Sequence, residues 1–246
     1  MTLLELRDVA VECMGKLIVK RASLTLYSGE IVLLMGPNAS GKSSLLKALA
    51  GHPRYVIAHG SVRLAGEDIT HLSAKERVSR GLVLALQNPP TLRGVTVRSL
   101  LYRLLRRRGL PEIEAEQEMR RIAKLLAIDH LLDREFGRGF SGGELKRVEI
   151  ATLMALKPRI ALIDEPDSGV DVDSVLLIAS AIEEMRRSGV EGMIVVTHSG
   201  LIAKHITHSR AYIMLDGYIV HEGPSAEILS TVLSKGFAPF RQVVET

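Results

Sequence analysis

The chain has a single cysteine and no tryptophan in 246 residues, and its aromatic residues together make up 4%. A lone thiol, Cys13, closes no intrachain disulfide and supplies no four-thiolate metal or iron–sulfur site, so a reducing compartment is expected. The scarcity of aromatic rings argues against a stacking platform for single-stranded nucleic acid. A formal net charge of +4 is too mild to indicate nucleic-acid binding, although it suits phosphate ligands or an acidic partner. No apolar run approaches the roughly 20 residues that a membrane span needs. The opening Met1-Thr2-Leu3-Leu4-Glu5-Leu6-Arg7-Asp8 carries early acidic residues and no signal-peptide core. A cytoplasmic protein without direct membrane insertion is therefore expected. Internal repeats are also missing, which removes a solenoid.

The patterning present is that of an α/β protein. Leu3 to Val11 alternates in part, and Ser23 to Tyr27 reads as a strand followed by a turn at Ser28-Gly29-Glu30. Ile31-Val32-Leu33-Leu34-Met35 is continuously apolar, as a strand buried on both faces would be. Lys42 to Ala50 predicts a helix closed by Gly51, and Ser73-Ala74-Lys75-Glu76 a capping box opening a short helix. Ser61 to Leu64 suggests a short exposed strand, and Leu82 to Gln87 a buried one stopped by Asn88-Pro89-Pro90. From Val97 to Ile128 the period becomes helical, broken at Gly109-Leu110-Pro111, which predicts a helical lobe inserted into the α/β core and ending near Gly142. Strand and helix then alternate through Ile160–Ile163, Asp173–Arg187, Met193–Thr197 and Leu201–Ile206. A closing hairpin, Arg210–Leu215 with Tyr218–Glu222, turns at Asp216-Gly217.

Gly36-Pro37-Asn38-Ala39-Ser40-Gly41-Lys42-Ser43 matches the Walker A spacing in full, between a buried strand and a helix. Small residues let backbone N–H groups point inward at a polyphosphate, backed by the helix N-terminus. Lys42 is placed to reach the β- and γ-phosphates, and the Ser43 hydroxyl to ligate Mg²⁺, with Ser44 completing the nucleotide contacts. Ile160-Ala161-Leu162-Ile163-Asp164-Glu165 is an apolar strand ending in two carboxylates, where Asp164 would hold Mg²⁺ and Glu165 polarise an attacking water. Ser141-Gly142-Gly143-Glu144 reads as a helix capping box, yet a cap does not need the two glycines, whereas close approach of an anion does. Gln87 ends a strand where an amide reaches the metal or the water, and His198 ends another where it can sense a γ-phosphate. Gly137-Arg138-Gly139-Phe140-Ser141-Gly142 spells a dinucleotide fingerprint, but Asp133 to Phe136 before it is no buried strand. His198, His205 and His208 have no carboxylate at ligand spacing, so a metal cluster is not expected. Arg103, Arg106, Arg107 and Arg108 read most simply as a solvated helix face, with partner docking as the alternative.

Taken in order, Walker A, Gln87, Ser141-Gly142-Gly143-Glu144, Asp164-Glu165, Asp171 and His198 resemble the complete motif set of an ABC ATPase, over about Leu3 to Leu233. The resemblance implies a single P-loop ABC ATPase domain: residues 1–87 and 156–246 as a RecA-like catalytic α/β core with an antiparallel β subdomain, and 88–155 as the helical subdomain bearing the signature motif. It implies ATP and Mg²⁺ as cofactors. It also implies head-to-tail pairing on ATP binding, as a transient homodimer or with a partner ATPase, in which Ser141 and Gly143 of one copy meet the γ-phosphate held by Lys42 of the other and Asp171 lies at the interface. Members of the family commonly stack adenine on an aromatic residue in the early strands, near which this chain has Met14. Finer details, Phe140, Glu144 and Asp167-Ser168-Gly169, resemble the SufC branch that serves iron–sulfur cluster assembly. That likeness implies soluble SufB/SufD-like scaffold partners and no nucleic acid. Pro166 fits the alternative, the ATP-binding subunit of a membrane ABC transporter.

Overall fold

The structure, a computed structural model, describes residues 1–85 and 91–243. Apolar five- and six-residue runs form its centre. β3 (Ile31–Met35), β7 (Ile160–Asp164) and β8 (Gly192–Thr197) are buried along their whole length. Around them the chain runs β1 (Thr2–Cys13), β2 (Lys16–Tyr27), β3, α1 (Lys42–Leu49), β4 (Tyr55–Leu64), β5 (Glu67–Asp68), α2 (Ala74–Ser79) and β6 (Leu82–Ala85). It continues through α3 (Val97–Arg107), α4 (Glu112–Leu125), α5 (Gly142–Leu156), β7, α6 (Val172–Arg187), β8, β9 (Arg210–Leu215), β10 (Tyr218–Pro224) and α7 (Ser225–Lys235).

Among the described residues these strands join in the order β5-β4-β1-β2-β10-β9-β3-β8-β7-β6. β6, β7, β8, β3 and β9 are mutually parallel, whereas β5, β4, β1 and β2 pair antiparallel. Alternation along β3 divides the core. Ile31, Leu33 and Met35 enter one apolar cluster with α3, α4, α5 and α6, while Val32 and Leu34 enter a second with α1 and the antiparallel strands. No described helix is long and apolar enough to cross a membrane.

The helical stretch expected from Val97 is present as α3 and α4, broken at Gly109 to Pro111. Arg121 fastens α4 to α6 by pairing with Glu118 and Glu184. Arg103, Arg106, Arg107 and Arg108 are exposed, as a solvated face requires, although Arg108 also donates to the Met154 and Ala155 carbonyls at 3.3 Å. The closing hairpin turns as expected, with left-handed φ at Asp216 and Gly217 of 50° and 89°.

Four local expectations change. The short exposed strand at Ser61 to Leu64 is the end of the ten-residue β4, with Val62 and Leu64 buried against β1. Leu201 to Ile206 forms only one 3₁₀ turn, Ile202–His205, because its backbone is drawn into side-chain hydrogen bonds described below. β2 begins at Lys16, not Ser23, after a tight turn at Met14-Gly15 with φ of 52° and 77°. α7 was not foreseen. The expected strand from Leu82 is described through Ala85, and its end, Gln87, lies outside the described residues together with Asn88-Pro89-Pro90.

One buried cation holds the C-terminal end of α1. Arg77, 2% exposed, donates to the carbonyls of Ala48, Leu49, Thr70 and Leu72 at 2.7–3.0 Å. Burial pushes its pKa down, and no carboxylate partner opposes that. Those carbonyls include helix-end acceptors that would otherwise be orphaned. Arg77→Ala is expected to destabilise the protein by about 3 kcal/mol, as loss of charged hydrogen bonds to buried acceptors does. A urea titration of both proteins checks this.

Candidate functional site

The phosphate loop leaves β3 and enters α1 with almost no clearance. A Cβ on Gly36 would lie 2.1 Å from the Met214 carbonyl, and one on Gly41, whose φ is 109°, 2.9 Å from Met214 Cε. Ala39 also holds a left-handed φ of 63°. Lys42, 3% exposed, donates from Nζ to the Gly36 and Pro37 carbonyls, both at 2.8 Å. Its pKa is pushed down by burial, against the opposing fields of Glu165 and Asp164. The lysine thus lies across the mouth of its own loop, on acceptors weaker than a phosphate oxygen would be.

β7 delivers Asp164 beside this loop. The Ser43 hydroxyl donates to Asp164 Oδ1 at 3.0 Å. Asp164 is 2% exposed, its Oδ2 has no hydrogen-bond partner, and burial raises its pKa. An orphaned buried carboxylate oxygen next to a hydroxyl is a donor set that fits Mg²⁺, a hard cation that takes oxygen ligands. Glu165 follows with a left-handed φ of 48°, and its N–H donates to the Val196 carbonyl at 3.0 Å. From the end of β8, His198 Nδ1 approaches Glu165 Oε1 to 3.4 Å, an electrostatic contact longer than a normal hydrogen bond. Together these groups open on a cleft of about 670 Å³, lined by Lys16, Ile18, residues 38–44, Glu165, Ser168 and His198.

The second cradle sits elsewhere. Ser141 caps α5, accepting from the Glu144 N–H at 3.2 Å while Glu144 Oε2 accepts from the Ser141 N–H at 2.7 Å. His130 Nε2 lies 3.0 Å from Glu144, and its hydrogen bond, with that of the Ser141 N–H, holds the carboxyl down at about 2. The capping expected from the sequence is therefore present. The glycines have a further cause, invisible in the sequence: a Cβ on Gly143 would meet Ser174 Oγ at 2.7 Å and Asp171 Oδ2 at 3.1 Å, and one on Gly142 the Gly169 carbonyl at 3.2 Å. Asp171 itself caps α6, accepting from Ser174 N–H at 2.8 Å and from its hydroxyl at 2.9 Å. None of Ser141, Gly142, Gly143 and Glu144 lines the phosphate-loop cleft.

Three buried polar residues have structural partners that the sequence does not reveal. Asp167 Oδ2 accepts from Thr197 Oγ1 at 2.8 Å, Ser199 Oγ at 2.6 Å and the Ile202 N–H at 3.1 Å, tying the segment after Glu165 to the one carrying His198. Lys146 on α5 donates to the Asp164 carbonyl at 3.3 Å and approaches Glu149 Oε2 at 3.5 Å. Inside a helix neither Lys146 nor Glu149 breaks the expected pattern of a solvated face, so only tertiary packing reveals them. His208 is structural, between Ser225 Oγ at 2.6 Å and the Ala203 carbonyl at 2.8 Å, and no metal-ligand cluster of His, Cys, Asp and Glu occurs among the described residues. Residues 137–142 follow no strand, so the dinucleotide spacing is coincidental.

This geometry agrees with what the chain is similar to. The ABC transporter family profile matches residues 19–168, more than half of the chain. The chain belongs to the ABC transporter ATPase family. Vegetative protein 296 of Bacillus subtilis is 36% identical over 245 residues, covering 97% of this chain and 93% of the relative. A probable ABC transporter ATP-binding protein of Streptococcus pyogenes is 35% identical over 249 residues, covering 98% and 96%. The crystal structure of a nucleotide-free ATP-binding cassette from an ABC transporter superposes with a TM-score of 0.77 at 26% identity, covering 100% of this chain and 98% of that one. The fold is the ABC ATPase P-loop fold and the protein is an ABC-type ATP hydrolase. These descriptions favour the transporter expectation over the cluster-assembly one.

In this ATPase, Glu149 is 5% exposed and its carboxyl is pushed up to about 7, because burial outweighs the loose pairing with Lys146. A carboxyl whose folded pKa exceeds its unfolded one binds more protons when folded, so its contribution to stability declines as pH rises between the two values. Glu149→Gln is expected to reduce the fall in melting temperature between pH 5 and pH 8 relative to the unmodified protein. Scanning calorimetry of both at the two pH values checks it.

Proposed function

We propose that this chain is the ATP-binding subunit of an ABC-type assembly, hydrolysing ATP between two copies arranged head to tail and passing the motion to a separate partner. The observation that carries this is the separation of the two cradles: Lys42, Ser43, Glu165 and His198 line one cleft, and Ser141 to Glu144 stand outside it. In this reading residues 36–44 hold the polyphosphate, with Lys42 moving from its own loop carbonyls to the β- and γ-phosphates. Glu165 orients and polarises the attacking water, and His198, braced by its contact with Glu165, meets the γ-phosphate. Ser43 and Asp164 would hold Mg²⁺, with Gln87 as an expected further contact, and the bound ion would supply positive charge against the transferred phosphoryl group. Ser141 and Gly143 of the second copy close over the γ-phosphate, and Asp171 acts at the interface through the α6 cap. The division into a core of residues 1–87 and 156–246 and a helical lobe of 88–155 belongs to the same proposal.

The descriptions of the relatives support a membrane permease as the partner. A second reading, a soluble SufB/SufD-like scaffold of iron–sulfur assembly, is favoured by Asp167 and Phe140. Purification of the tagged protein from its native cell under anaerobic conditions separates the two. An integral membrane permease without a scaffold supports the first; a soluble scaffold without a permease supports the second and a cytoplasmic location with it.

Glu165→Gln is expected to lower the hydrolysis rate by about 10²–10⁴-fold, the range for loss of a positioned general base, while ATP still drives dimer formation. Phosphate release and light scattering read the two effects. Unchanged turnover would remove Glu165 from the chemistry.

A further inference from the structure

Asp167 is a buried carboxylate with no cation beside it. It is 6% exposed, and among the described residues it forms no ion pair; its side-chain hydrogen bonds all go to residues 197–202. One oxygen, Oδ2, accepts from the Thr197 hydroxyl at 2.8 Å, the Ser199 hydroxyl at 2.6 Å and the Ile202 N–H at 3.1 Å, while Oδ1 is buried without a partner. The two hydroxyls extend the network: Thr197 Oγ1 accepts from the Gly200 N–H at 3.0 Å and Ser199 Oγ from the Leu201 N–H at 3.1 Å. The segment that follows β8 is thus wound around one oxygen, with a donor on each side of His198. His198 takes no part in this knot. It lines the phosphate-loop cleft, which Asp167 does not, and its Nδ1 stands 3.4 Å from Glu165 Oε1. A turn closed by the Ser168 N–H on the Glu165 carbonyl, at 3.2 Å, ties Asp167 back to Glu165.

Resting on the assignment of His198 to the γ-phosphate, we propose that Asp167 is a positioning residue for hydrolysis. Its carboxylate fixes the backbone on both sides of His198 and so sets where that ring stands against Glu165 and the γ-phosphate. Stability alone accounts poorly for the residue. A carboxylate taken out of water without a cation is costly, and an apolar side chain in its place would leave no unpartnered Oδ1. What the charge adds is acceptor strength and direction, because hydrogen bonds to an ionised acceptor are shorter and stronger than those to a neutral one. Three donors converging on one atom hold residues 197–202 in a single arrangement. Asp167 is absent from the cleft lining, so its effect on turnover passes through His198.

A double-mutant cycle on the full chain tests the assignment, with single-turnover hydrolysis of radiolabelled ATP by excess protein as the readout. Asp167→Ala is expected to slow hydrolysis by about 10- to 100-fold, the scale on which a misplaced group about 1 Å from its station costs rate. The ATP dissociation constant is expected to change by less than about threefold, because none of the phosphate-loop residues bonds to Asp167. Asp167→Asn, whose amide oxygen can still accept, is expected to stay within about fivefold of the parent. Beside His198→Ala, the further loss from Asp167→Ala is expected to fall below about twofold, since two residues acting through one group are not additive. A merely structural aspartate would lower the rate by the same factor in both backgrounds. That additive result, or an unchanged rate in Asp167→Ala, overturns the proposal and leaves the role of His198 standing. If His198→Ala itself leaves the rate unchanged, the role of His198 falls and the proposal with it. Ser199→Ala removes one donor from the other side and serves where Asp167→Ala does not fold. It is expected to slow hydrolysis about two- to fivefold in the parent and not at all beside His198→Ala; equal slowing in both backgrounds again overturns the proposal.

Discussion

The site depends on the parallel register of β3, β8 and β7. Met35 stands opposite Thr197 and Asp164 opposite Val196, so the phosphate loop, the Asp164-Glu165 pair and His198 leave the sheet at one edge. A slip of one residue would move a carboxylate by about 3.3 Å and turn it to the other face of the sheet. Strands apolar on both faces specify register poorly through their side chains, because either neighbour is equally at home in the core. Here the polar ends complete the specification. Ser43 holds the Asp164 side chain, Lys146 its carbonyl, and Asp167 the segment that carries His198.

Charge in the interior follows from the same arrangement. Lys42, Lys146, Glu149, Asp164 and Glu165 all lie below a tenth exposed within one neighbourhood. Isolated charges at such depth are costly, and partners offset the cost only where geometry allows. Lys42 rests on carbonyls, Glu149 has a long contact to Lys146 and an unpartnered second oxygen, and Asp164 keeps one oxygen unpartnered. The phosphate-loop site is thus under-satisfied where a polyanion and a cation would enter. Its binding energy is in part the relief of that debt.

Much of this was legible in the sequence because motif chemistry is local. The spacing of Gly36 to Ser43, the apolar run into Asp164-Glu165 and the cap at Ser141 each depend on a few consecutive residues, and the structure places them on the expected elements. What was hidden depends on contacts between distant segments. Gly143 serves the packing of α5 against the α6 cap, and the partners of Asp167 and Lys146 lie on segments far from them in sequence. Lys16 and Ile18 were hidden behind a strand whose start was read too late, at Ser23, because Lys16 to Arg21 lacks a clean alternation. The choice of partner is illegible for another reason: it is decided on a surface, and the nucleotide motifs do not encode it.

The contact of Gly36 with Met214 has a consequence for the order in which the protein is made. β9 lies directly beside β3, and Gly217 donates to the Ser40 carbonyl at 3.0 Å, so the closing hairpin supports the phosphate loop from below. A nascent chain that has emerged only as far as α6 carries the whole phosphate-loop sequence without this support, or the β8 strand on its other flank. During synthesis this support for the phosphate loop therefore arrives only after β8, β9 and the Asp216-Gly217 turn have emerged, well after the loop residues themselves.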